Sequence, residues 1–211
     1  KKHRNDFKRG AILTDVAGVK GVLVEQLKAE IPEHVDFIYG HPMAGRENRG
    51  YAYSDADVFE GANYLLTPTA DNQPENIEWL EQLIKRIGFK RVTIVQPEKH
   101  DEMIAFTSQL CHVIAVSLIN SDDPNRDTVK FIGDSYRDLT RIAKINDSLW
   151  SELFIENKDE LLAAVEGFEK QFQLMKQAIQ EDNVDELANM FKESTKRRTQ
   201  LEQADRKQKA E

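Results

Sequence analysis

The chain has 211 residues, enough for one large domain or two small ones. A net charge of −8 and a pI near 5.3 make nucleic-acid backbones and anionic membranes poor partners. Charged residues make up 31% of the chain, which predicts a soluble protein, and no apolar stretch is expected to reach the ~20 residues that span a bilayer. The single cysteine, Cys111, has no partner for an internal disulfide, which fits a cytoplasmic location. Its apolar helical surroundings predict a buried small hydrophobe rather than a nucleophile.

Lys1 to Lys8 reads as the end of a helix leading into a strand, Ala11 to Val16. Val19, Val22, Leu23, Leu27 and Ile31 then share one helical stripe. Val35 to Tyr39 and Asn63 to Thr67 read as strands. Pro74 suits a helix start, Ile77, Leu80, Leu83, Ile84 and Ile87 supply its apolar stripe, and Gly88 suits its C-terminal cap. Arg91 to Val95 is a fourth strand. Alternating strands and helices predict an α/β domain with a parallel sheet. After Pro97 the pattern becomes all-helical, so a domain boundary is expected near Gln96, dividing residues 1–96 from 97–211. Helices are predicted over Glu98 to Ile119, from Asp134 or Ser135 to about Ile145, and from Asn146 or Asp147 through Phe154. Asn157 is expected to cap a long amphipathic helix, and a last helix starts near Val184 and fades into a charged tail from Lys196.

A dinucleotide-binding fold would open with a strand, a G-x-G-x-x-G turn and a helix, a unit of about 30 residues. Gly18 and Gly21 do not have that spacing. The chain therefore reads as a partial Rossmann-type sheet whose N-terminal βαβ half is absent, followed by helices.

Four groups of residues suggest chemistry. Gly40-His41-Pro42-Met43-Ala44-Gly45 places a histidine just past a strand, between glycines and beside a stiffening proline. Neutral imidazole can accept a proton near physiological pH, so His41 is a candidate general base, with a structural turn histidine as the alternative. The loop Thr14 to Gly21 leads straight into a helix, and its backbone N–H groups can face an anion or a polar ring. In the helical part, Asp101, Ala105, Ser108 and His112 fall on one face with Gln109 beside them. Such a stripe lines a cleft or makes inter-helix hydrogen bonds. Arg137 and Arg141 stand one turn apart, and arginine is the natural fork for a carboxylate. No metal site is expected.

Taken together, several segments resemble the prephenate dehydrogenase family. They are Thr14-Asp15-Val16 through Lys20-Gly21, Gly40 to Gly45, Leu66-Thr67-Pro68, His100-Asp101, Ser108 to His112, Ser135 to Ala143, and Trp150 to Phe154 with Asn157. The resemblance runs in order over nearly the whole chain. It implies a nucleotide-binding domain followed by a helical dimerisation domain, hence a homodimer. It also implies oxidative decarboxylation of prephenate to 4-hydroxyphenylpyruvate with NAD or NADP, on the route to tyrosine. His41 matches the histidine that takes the substrate hydroxyl proton, and Arg141 the arginine that binds a substrate carboxylate. His112, Gln109, Gly18 and Trp150 fall around the substrate, Glu47 where some members pair an acid with that arginine, and Asp15, Ala17 and Gly18 at the cofactor. Two positions depart from the family. Gly18 stands where many members have serine, and Ser108-Gln109-Leu110-Cys111-His112 replaces a histidine-rich Ser-His-x-Pro-His pattern. The resemblance leaves open arogenate as substrate and tyrosine as inhibitor. The departures keep two further readings alive: a related hydride-transfer enzyme acting on another hydroxy or imino acid, and a non-catalytic helical dimerisation module. By itself the 211-residue chain is expected to be inactive.

Overall fold

The computed structural model describes residues 2–45 and 50–210, the last three as backbone only. They form two compact units, Lys1–Leu162 and Ala163–Glu211. The first opens with turns rather than a helix end, held by a bond from Asp6 N–H to the His3 carbonyl. Strand β1 is Ala11–Thr14, helix α1 Gly21–Lys28, and strand β2 Val35–Met43. Strand β3 (Asn63–Thr67), helix α2 (Pro74–Ile87) and strand β4 (Arg91–Ile94) complete a sheet of order β1-β2-β3-β4.

The sheet is mixed rather than parallel. β1 and β3 run parallel to β2 and β4 respectively, each across a helical crossover, but β2 and β3 pair antiparallel. Parallel neighbours need a long crossover, usually a helix. The described part of the connection from Met43 to Asn63 offers only short 3₁₀ turns at Tyr51–Tyr53 and Ala56–Phe59, so the chain returns beside itself. β2 is therefore a strand of two halves. Val35 to Ile38 pair with β1, and Tyr39 to Met43 pair with β3.

The core lies between the sheet and α2. Leu80 and Ile84 of α2 pack with Ile38, Tyr64, Leu66 and Phe89. Phe89 meets Tyr64 edge-on at 5.0 Å and Phe59 at 5.2 Å. Pro74 opens α2, and Gly88 closes it at φ +115°, where a Cβ would be strained. Asp36 ties the helix start to β2, accepting from Gln73 N–H at 3.0 Å and Asn76 Nδ2 at 2.8 Å.

After β4 the chain is helical. Helix α3 (Pro97–Ile104) widens into a π turn at Ala105–Gln109 and continues as α4 (Leu110–Asn120). By length and composition this stretch is apolar enough to cross a membrane, which corrects the expectation that none would be. It carries His100, Asp101 and Gln109 buried and hydrogen-bonded within the first unit. The π turn also overturns the expected burial of Cys111. One extra residue per turn shifts the interior face, so Gln109 and Leu110 are buried and Cys111 is exposed.

Helices α5 (Asp134–Thr140) and α6 (Asp147–Glu156) follow. A 3₁₀ turn at Arg141–Ala143 ends the first helical segment short of the expected Ile145. Asn146 caps α6, accepting from Leu149 N–H at 3.1 Å. Helix α7 (Lys158–Gln180) begins after Asn157, whose amide Nδ2 is turned inward to the Asp101 carbonyl and Gln109 Oε1. The second unit holds the rest of α7 and helix α8 (Val184–Ala210), joined by a turn with Asp182 at φ 50°. The charged tail is helical to Ala210. Phe172 and Ile179 of this unit are more than half exposed.

Candidate active site

His41 lies within β2, opposite Leu65, rather than in a loop beyond the strand. The residue before it must be glycine. A Cβ on Gly40 would stand 2.5 Å from Tyr64 Oη and 3.0 Å from Thr14 Oγ1. The bare backbone lets the Tyr64 side chain approach the strand closely, and Gly40 N–H donates to Asp15 Oδ1 at 2.9 Å.

Behind His41 runs a chain of hydrogen bonds. His41 Nδ1 lies 2.9 Å from His100 Nε2, and His100 Nδ1 lies 2.7 Å from Asp101 Oδ1. Asp101 also accepts Lys20 N–H at 2.8 Å and Gly21 N–H at 2.7 Å, at the start of α1. Burial works against the Asp101 carboxylate, but the bonds from His100, Gly21 and Lys20 hold its pKa below the ordinary value. Burial pushes His41 down to about 3, with His100 and Lys20 adding to the shift and Asp101 opposing it. The imidazole is thus neutral through the physiological range.

Lys20 is wholly buried. Its ammonium donates to Asp15 Oδ2 at 2.7 Å and to the Ala17 carbonyl at 2.7 Å. Burial lowers its pKa against the opposing pull of Asp15. Asp15 Oδ2 also accepts Ala17 N–H at 2.9 Å. The two side chains therefore shape the loop from Asp15 to Lys20 from within.

His41, the loop residues Val16, Ala17 and Gly18, and the helical residues Ser108, Gln109, His112, Arg141 and Trp150 line one cavity of about 1010 Å³. It is large enough for a small organic substrate. Trp150 stacks on His112 with ring centroids 3.6 Å apart, and Phe154 meets Trp150 edge-on. His112 Nδ1 lies 3.0 Å from the Ser108 carbonyl, its i−4 partner. Arg141 is exposed at the cavity wall. Glu47 lies outside the described residues. Gln109 is only 1% exposed, and its amide is held by the Leu153 carbonyl and by Asn157. At Gly18, a Cβ would stand 3.0 Å from Leu153 Cδ2. The missing side chain thus leaves a gap that the Leu153 methyl nearly fills. Among the described residues no group of three or more His, Cys, Asp or Glu is placed to hold a metal.

The structure places His41, Ala17, Gly18, Gln109, His112, Arg141 and Trp150 on one cavity wall and Asp15 in the frame of its loop, whereas Arg137 pairs with Asp134 and does not line the cavity. Sequence reasoning gave no role to His100 or Lys20 and placed Asp101 only on a polar stripe. The available signal was a His-Asp pair just after Pro97, where a helix start would be buried beside the sheet.

Residues 1–93 match the prephenate dehydrogenase nucleotide-binding domain, and residues 96–193 match the prephenate dehydrogenase dimerisation domain. The chain is 32% identical to cyclohexadienyl dehydrogenase of Zymomonas mobilis, over 92% of this chain and 68% of that one. It is 28% identical to prephenate dehydrogenase of Bacillus subtilis, over 86% of this chain and 50% of that one. It thus spans half to about two thirds of the length of these curated relatives. Among solved structures, prephenate dehydrogenase of Aquifex aeolicus with hydroxyphenyl propionate and NAD+ matches with a TM-score of 0.83 and 33% identity, over 95% of this chain and 71% of that one. Synechocystis arogenate dehydrogenase matches with a TM-score of 0.76 and 26% identity, over 90% of this chain and 69% of that one. The α/β sheet and the helical region that follows it match the two domains of a nucleotide-binding dehydrogenase. The match over both domains narrows this further: the chain belongs to the prephenate dehydrogenase family.

Proposed function

We propose that the protein oxidises prephenate to 4-hydroxyphenylpyruvate and carbon dioxide, with His41 as the base and Arg141 as the carboxylate binder. The observation that carries this reading is the presence of both side chains, with the Val16 to Gly18 loop, on one cavity. Val16, Ala17 and Gly18 present a narrow apolar strip that suits the flat face of a nicotinamide. NAD(P)+, when bound, supplies the hydride acceptor. Asp15 serves the cofactor indirectly, through the loop that it shapes.

The substrate carbon carries a hydroxyl and a hydrogen. His41 Nε2 accepts the hydroxyl proton as the hydrogen leaves with its electron pair, giving a ring carbonyl. The bond from the ring to its carboxylate then breaks. Carbon dioxide departs, and the electron pair of that bond restores the aromatic ring and leaves the oxygen negative. His41 returns the proton there, so the step releases no net proton. By itself, a base with a pKa near 3 is weak. Prephenate brings two carboxylates, and negative charge near the ring raises the imidazole pKa toward the range where proton transfer is efficient. Arg141 holds one carboxylate, and the His112–Trp150 stack packs along the ring.

The site departures bear on a second substrate. Likeness to both an arogenate and a cyclohexadienyl dehydrogenase favours arogenate as an alternative, which assays with the two substrates side by side resolve. We further infer a homodimer, supported by the dimerisation-domain match and the exposed apolar residues of α7, with the two domains meeting near Gln96. We also propose a cytoplasmic site of action, a reading that the single cysteine, with no partner for an internal disulfide, supports. Tyrosine, which shares the product's phenol ring, is a candidate inhibitor.

The test is NADH or NADPH formation by the full-length protein with prephenate. His41→Asn should lower kcat by about 10²-fold or more. Arg141→Gln should raise KM by about 10-fold or more, with a smaller effect on kcat. Undiminished turnover in the His41 variant would remove it as the base.

A further inference from the structure

We propose that His100 and Asp101 are positioning residues that fix the tautomer of His41, keeping Nδ1 protonated and presenting Nε2 to the cavity as the acceptor. This rests on His41 being the base, but the tautomer itself can be read without turnover.

The argument starts at the buried end. Asp101 accepts two backbone N–H groups at the start of α1 and faces His100 Nδ1 at 2.7 Å. A carboxylate held this way is an acceptor only. The His100 Nδ1 must therefore carry a proton. With Nδ1 protonated, neutral His100 has its lone pair on Nε2, which lies 2.9 Å from His41 Nδ1. His41 Nδ1 then donates, and its remaining nitrogen, Nε2, is unprotonated. His100 is 0% exposed, so no water competes for the link. A second proton on His100 would reverse the order. His41 Nδ1 would have to accept, and Nε2–H would offer the substrate hydroxyl a donor where the reaction needs an acceptor.

The same carboxylate does a second task. By holding Lys20 N–H and Gly21 N–H it anchors the end of the loop whose residues 16–18 line the cavity. One side chain on α3 thus sets both the base and the loop beside it. A purely structural role would account for the anchoring but would not require the imidazole pair.

The experiment uses the full-length protein labelled with ¹⁵N-histidine. Long-range ¹H–¹⁵N spectra at neutral pH should show His41 Nδ1 protonated and Nε2 unprotonated. A protonated Nε2 overturns the proposal. His100→Leu removes the acceptor, whereas His100→Gln can place an amide oxygen near the position of Nε2. The leucine variant should lose about 10²–10⁴-fold in kcat, as expected for a base in the wrong tautomer, with prephenate KM within about threefold of wild type. It should also shift the His41 nitrogen signals, and glutamine should restore at least about tenfold of the lost kcat. Equal losses in both variants with unchanged His41 signals would show a structural role and overturn the proposal, as would an unchanged kcat in the leucine variant. If the leucine variant does not fold, the wild-type spectra and the glutamine variant decide. If wild type fails to oxidise prephenate, the substrate reading falls, and the spectra alone decide the tautomer.

Discussion

At Gly18 the departure from the family's serine is a packing event as much as a chemical one. A Cβ there meets the Leu153 methyl at 3.0 Å, a contact that a flexible side-chain end can relieve by moving a few tenths of an ångström. Gly18→Ser should therefore cost about 1 kcal/mol of stability. Combining it with Leu153→Ala should recover about 0.5–1 kcal/mol relative to the sum of the single changes, measured by urea unfolding. Gln109 makes the same point from the helical side. Its amide joins Leu153 and Asn157, so it frames the wall that faces Gly18. The sequence showed both residues as departures from the family. It could not show that Leu153 ties them together, because the contacts join residues more than forty positions apart.

Between α3 and α4 the π turn decides which side chains face the cavity. It lets Asp101 and Gln109 both point inward while Ser108 and His112 remain on the cavity wall. Deleting Thr107, an exposed residue of the turn, should restore α-helical spacing, leave α4 facing nearly as it does, and displace Ser108 and Gln109, which belong to the turn. Far-UV dichroism should change little, whereas kcat/KM should fall by about 10²-fold or more, because misplacement by about 1 Å carries that penalty. A π turn leaves no distinct periodicity in a five-residue window, which is why the sequence read this stretch as one regular helix. β2 is a similar case. Its apolar run was legible up to Tyr39, and its continuation through Gly-His-Pro was not. Glycine and proline read as a turn until a partner strand pairs with them.

Across the molecule, the buried groups around His41 make folding sensitive to acid. His41 has a folded pKa near 3 against 6.5 unfolded, so the unfolded chain binds more protons between these values. Its contribution is complete above pH 6.5 and is lost as pH falls toward 3. Asp101, held below its ordinary 3.8, acts in the same direction in the lower part of that range. The urea midpoint of the wild type should fall between pH 7 and pH 4, and His41→Gln should fall less steeply. Equal slopes would show that His41 does not carry the charge difference. The sequence by itself determined the strand and helix order, the helix start at Pro74, the cap at Gly88, and the change from α/β to helix after Pro97. These depend on local apolar spacing and backbone restraint. It also supplied His41 and Arg141 through a resemblance that runs in order along the chain. The tertiary structure alone decided the antiparallel turn of the sheet, the exposure of Cys111, and the His41–His100–Asp101 line with Lys20 buried beside it. Those features depend on which distant groups meet once water is excluded, and a buried charge or imidazole takes its role from the partners that satisfy it.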